Sequence, residues 1–123
     1  MWLAILGMVL GIVFGIFAPV SLPVAYARYS AVGIVAILDS LLGAARADLQ
    51  KNYNGIIFVT GLITNMILAA LITYIGDRLG IDLYLGVIVA FAIRIVQNFG
   101  IIRRHILTQI TTRHYLETPR SQQ

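Results

Sequence analysis

A chain of 123 residues that is 59% hydrophobic and only 11% charged, with a mean hydropathy of +0.90, has too little polar surface to cover a water-soluble core, and a bilayer is its natural solvent. It has no cysteine, which excludes disulfides, thiolate nucleophiles and cysteine-ligated zinc or iron–sulfur sites. Four of the nine basic residues behind its net charge of +4 (Arg103, Arg104, Arg113 and Arg120) follow the last apolar run, a pattern suited to anionic lipid headgroups at the cytoplasmic face and, lacking interleaved aromatics, unsuited to nucleic acid.

The first apolar run, residues 2–18, has the length and composition of a membrane-spanning helix. Gly7, Gly11 and Gly15 recur in it at four-residue spacing, aligning three positions without side chains along one helix face where another helix can approach closely. Two readings stand open: packing against a neighbouring span of the same chain, or association with a second copy or a partner helix. Pro19 and Pro23 then end this helix and begin the next. Ala25-Tyr26-Ala27 has the form of a signal-peptidase site, but the run before it is glycine-rich and carries no preceding positive charge, so retention is expected.

The second segment, residues 28–47, is the ambiguous one. Its apolar part, 31–45, is short and contains Asp39, so a re-entrant helix competes with a spanning one. Charge favours spanning. With four spans, the N-terminus, the 46–55 loop and the C-terminal tail share one side, which holds Arg46, Lys51 and the four tail arginines against Arg28 and Arg78 opposite, as the preference of basic residues for the cytoplasm requires. Asn52, Asn54 and Gly55 form a turn before the third span, 56–76. Gly80 suits a helix C-terminus and Asp82 an N-cap for the last span, 83–102. The expected fold is therefore all-α: a polytopic membrane protein of about four transmembrane helices in two hairpins, both termini cytoplasmic. Residues 1–107 form one transmembrane domain, followed by a basic polar tail over 108–123.

The polar residues inside these spans converge in depth. Counting ~1.5 Å of rise per residue, Asp39, Asn65 and Arg94 all fall roughly 12–15 Å from the cytoplasmic face. A lone charge there costs about 2.5–3.5 kcal/mol on insertion scales, so Asp39 and Arg94 are expected to pair. Asn65, Gln97 and Asn98 are at hand for the remaining donors and acceptors. Arg94, Gln97 and Asn98 share one helix face, as do Asp39, Gly43 and Arg46, with Gly43 expected, like the glycines of the first run, at a helix-packing contact. Three roles remain open for this cluster: a packing ion pair, a socket for a polar group on a partner's helix, or part of a conduction path in an oligomer.

Enzymatic readings fare poorly. Asp39-Ser-Leu-Leu-Gly43-Ala-Ala-Arg46 loosely resembles the metal-binding run of membrane phosphatidyltransferases, but Leu42 stands where a second aspartate is needed and no downstream pair follows. Thr60, Thr64, Thr73 and Ser40 have no histidine or lysine base nearby and suit bonds to their own helix. His105 and His114 share the tail with one acid, Glu117, too few ligands for a metal site. The expectation is a protein without cofactor, metal or catalytic residues.

Leu38-Asp39-Ser40-Leu41-Leu42-Gly43-Ala44-Ala45-Arg46-Ala47, Asp82-Leu83-Tyr84-Leu85, Arg94-Ile95-Val96-Gln97-Asn98 and Arg103-Arg104, in this order and spacing, resemble the bacterial small basic protein family. The resemblance runs from Met1 to about Leu107. It departs at Ala44, where the family more often has a second glycine, and over the tail from Thr108 to Gln123. It implies a multi-pass protein of the bacterial cell membrane with no established activity, from genes near those of cell division and the cell envelope. The corresponding expectation is a non-enzymatic subunit or scaffold that binds other membrane proteins or its own copies, the alternative being an oligomeric transporter or channel component built on the Asp39, Asn65 and Arg94 site.

Overall fold

The computed structural model describes residues 2–19 and 21–117. They form four helices: α1 (Trp2–Phe17), α2 (Val24–Leu49), α3 (Gly55–Leu79) and α4 (Leu83–Glu117). α2, α3 and α4 pack on one another as an antiparallel three-helix bundle, and each is long and apolar enough to cross a membrane. The ambiguous second segment is one unbroken helix of 26 residues, extended beyond its apolar stretch at both ends. The first run is the short one. Its 16 residues span roughly 24 Å at helical rise, less than the ~30 Å of a hydrocarbon core.

The turns follow from local chemistry. Pro23, at φ −56°, leads into α2, its ring already holding the dihedral a helix start accepts. α2 closes with the paired bonds of a Schellman motif, Asn52 N donating to the Ala47 carbonyl at 2.8 Å and Lys51 N to that of Asp48 at 3.0 Å. This turn puts Lys51, a residue with a Cβ, at φ 58°. Asn54 caps α3, its side-chain oxygen accepting from the backbone N–H groups of Ile56 at 2.9 Å and Ile57 at 3.4 Å. At the far end Gly80 takes φ 68° and ends α3 as expected, while Ile81 N donates to the Gly76 carbonyl at 2.9 Å. Asp82 differs from expectation. Its carbonyl accepts from Leu85 N, but its carboxylate turns to Arg28 instead of capping α4.

α4 does not stop at Ile102 and continues as helix to Glu117, so the described part of the tail is helical; residues 118–123 lie outside the described residues. The buried core is small, formed by Val32 and Ala36 of α2, Ala69 of α3, and Val87 and Phe91 of α4. Alanines at the contacts let the backbones come close, the usual solution where surrounding lipid gives apolar side chains no reason to prefer one another. Most large apolar side chains point outward, including Ile57, Ile67, Leu71, Val89, Val96 and Phe99. Three long apolar helices with this outward face point to a membrane protein.

Candidate functional site

Along α2 the buried positions Val32, Ala36 and Asp39 succeed one another at helical spacing, so the stripe that builds the core also carries the acid into the bundle. On α4 the same logic runs from Val87 through Phe91 to Arg94 and Asn98. The two stripes meet. Arg94 Nη2 lies 3.1 Å from Asp39 Oδ2; the Asp39 side chain is 0% exposed and that of Arg94 54%. The contact is one of charge, since neither carboxylate oxygen of Asp39 has a hydrogen-bond partner of good geometry. The Arg94 guanidinium carbon also lies 5.8 Å from the centre of the Phe91 ring, within cation–π range.

The expected pair is therefore present, but its neighbours are engaged elsewhere. Asn65 Nδ2 donates to Ser40 Oγ at 3.4 Å, tying α3 to α2 beside the ion pair rather than at it. Arg46 Nη1 donates to Asn98 Oδ1 at 3.3 Å, joining α2 to α4 nearer the C-terminal end of α2. Gln97 is exposed and lines an open cleft with Arg46 and Arg94. Asp39, Ser40, Asn65 and Arg94 border a separate cavity of about 210 Å³ between α2 and the start of α3. Thr60 and Thr73 bond back to their own helix, at 2.7 Å and 2.8 Å, as expected of hydroxyls in apolar helices.

The glycines behave differently from one another. Gly43 lies at the α2–α4 contact, where an added Cβ meets Asn98 Nδ2 at an ordinary 3.8 Å, so no glycine-dependent approach exists there. A Cβ added at Gly7, Gly11 or Gly15 meets nothing within 4 Å, and α1 makes only a marginal contact with the packed bundle. Packing of the glycine line on the chain's own helices, one of the two readings of the sequence, is not what the structure shows. The glycine that close packing does require is Gly76, unremarked in the sequence. A Cβ there lies 2.7 Å from the Ile81 carbonyl and 2.8 Å from Leu83 Cβ, because the α3–α4 connection folds directly over it.

A second polar cluster closes the opposite end. Arg28 Nη1 reaches Asp77 Oδ1 at 2.9 Å and Asp82 Oδ1 at 3.3 Å, Tyr29 donates to Asp77 Oδ2 at 2.9 Å, and Arg28 stacks over the Tyr84 ring at 5.2 Å. In the sequence Arg28 stands out only as a charge on the far side, and nothing singles out Asp77. The available signal was depth, because Arg28, Asp77 and Asp82 all stand at helix ends on that side. At the near end Arg103 and Arg104 are exposed on α4 and share an open groove with Arg46.

Comparison with known proteins agrees with the sequence resemblance. A family described as "Protein of unknown function (DUF1290)" matches residues 22–107. The chain is 44% identical over 111 residues to the "Small basic protein" of Bacillus subtilis (strain 168), covering 90% of this chain and 92% of that one. It is 34% identical over 106 residues to an uncharacterized protein of Mycobacterium tuberculosis (strain ATCC 25618 / H37Rv) and to one of Mycobacterium bovis (strain ATCC BAA-935 / AF2122/97), covering 85% of this chain and 88% of each. No solved structure matches the chain.

Proposed function

We propose that this chain, which belongs to the DUF1290 family of small basic proteins, is a non-enzymatic integral membrane subunit that binds other membrane proteins through its helix faces. In this reading all four helices lie in a bacterial cell membrane with both termini cytoplasmic. The partners belong to a cell-envelope or cell-division assembly, as the resemblance to the small basic proteins implies. The observation that carries it is α1. An apolar helix with an unoccupied line of glycines, only marginally in contact with the three-helix bundle, is built to pack on something other than its own chain. Co-purification in mild detergent tests this: a partner or a second copy retained through α1 is the expected result, and a chain that isolates only as a lone monomer overturns it.

One observation favours a second reading, an oligomeric transporter or channel component: the cavity of about 210 Å³ beside Asp39, Ser40, Asn65 and Arg94. Reconstituted flux that disappears with Asp39→Asn supports it. Against it stands the enclosure of Asp39 within a single chain, which gives a permeating species no open route past the carboxylate.

A further inference from the structure

The geometry points to a binding site for the phosphodiester headgroup of an anionic membrane lipid in the groove between the cytoplasmic ends of α2 and α4, held by Arg46, Arg103 and Arg104. The groove is open and about 820 Å³ in volume, and none of its lining residues is acidic. Arg46 comes from α2 and the other two from α4, so positive charge converges from two elements instead of running along one. Arg46 spends one nitrogen on Asn98 Oδ1. Among the described residues the guanidinium groups of Arg103 and Arg104 have no hydrogen-bond or ion-pair partner; Arg104 is engaged only through its backbone carbonyl, by Thr108.

What remains at the groove is a set of donors. Thr108, Thr111 and Thr112, which also line it, already donate to carbonyls one turn back, at 2.9 Å each. The free N–H groups are those of the three guanidiniums and the Gln97 amide. That set matches an anion rich in acceptor oxygens, which arginine engages through two parallel bonds.

Depth distinguishes a lipid phosphate from one in solution. Arg28 contacts both Asp77 and Asp82, so the three mark a single level at the far end of the bundle. From it, helical rise carries Arg46 roughly 27 Å along α2 and Arg103 roughly 32 Å along α4, against a hydrocarbon core of ~30 Å. With one cluster at one interface, the three arginines stand at the other, where lipid phosphates lie. The inference rests on the membrane-spanning reading of the three long helices.

The test uses the full chain in nanodiscs of phosphatidylcholine mixed with phosphatidylglycerol, followed by release and native mass spectrometry of the lipid retained. Phosphatidylglycerol is expected in excess over its share of the bilayer. Arg46→Gln and Arg104→Gln each lower that excess about fivefold, from the strength of one arginine near an anionic surface, and Arg104→Lys keeps part of it. Arg113→Gln, a loss of the same charge away from this groove, leaves it unchanged. Equal retention of both lipids, an equal loss with Arg113→Gln, or displacement by inorganic phosphate each overturns the inference. So does an unchanged lipid preference in variants that lose a co-purifying protein, which makes the groove a protein contact. A chain that fails to enter nanodiscs overturns the membrane reading itself; one that enters and shows no preference overturns the lipid site alone.

Discussion

Asp39 and Arg94 approach to 3.1 Å with opposite surroundings, the carboxylate wholly enclosed and the guanidinium half open. The two ends of the pair are therefore not equivalent to mutation. Arg94→Ala leaves an enclosed carboxylate without its counter-charge, at about 3 kcal/mol, the low end for a buried pair because Arg94 is itself half exposed. Asp39→Ala leaves Arg94 lining the open cleft it shares with Gln97 and Asn98, where its guanidinium keeps polar neighbours, and costs less. The double variant recovers most of the Arg94→Ala loss. Thermal unfolding in detergent and membrane abundance read the order; an Arg94→Ala chain as stable as the parent means the pair contributes nothing.

Gly76 has the tightest surroundings of the described glycines. The atoms a methyl meets, the Ile81 carbonyl and the Leu83 backbone and Cβ, belong to the connection between α3 and α4 and cannot swing aside as a long side chain does. Gly76→Ala is expected to cost about 1–3 kcal/mol, the range for forced overpacking. Gly86→Ala, at a helical position with nothing within 4 Å, is neutral or slightly stabilising. Equal unfolding midpoints for the two variants refute the close approach.

Lys51 offers a gain instead of a loss. Its φ of 58° is required by the Schellman turn that ends α2, and glycine occupies that region without the steric cost a Cβ brings, about 1 kcal/mol. Lys51→Gly should raise stability relative to Lys51→Ala by about that amount, the comparison cancelling the lost charge. Asn54→Ala, which removes the cap three residues on, lowers it by ~1 kcal/mol. A Lys51→Gly chain no more stable than Lys51→Ala contradicts the left-handed geometry.

The features legible in sequence were those set by local composition or by depth. Hydropathy located all four helices, Gly80 the end of α3, and the matched depths of Asp39 and Arg94 their pairing. Depth alone does not give rotation about a helix axis, and the discrepancies arise there. Asn65 stands at the right level but faces Ser40, and Gly43 lies at a contact that tolerates a methyl. Gly76 was illegible because its constraint comes from a turn folding back over it, a tertiary effect with no periodic signature. Asp82 resembled a cap until Arg28, distant in sequence, competed for its carboxylate.

α1 provides the sharpest test of what the glycine line is for. If Gly7, Gly11 and Gly15 packed on the chain's own bundle, a bulky side chain among them would force overpacking and cost about 1–3 kcal/mol of the isolated chain's stability. With nothing within 4 Å of any of the three, Gly11→Leu should leave the unfolding midpoint of the monomer unchanged. The same substitution fills the groove that a partner helix needs for close approach, where van der Waals contact is the main attraction in lipid. Its expected effect therefore falls on association: co-purifying protein or dimer is lost while bundle stability stays constant. A Gly11→Leu chain that loses stability as a monomer places α1 against its own bundle, and one that keeps both stability and association removes the glycine line from the interface.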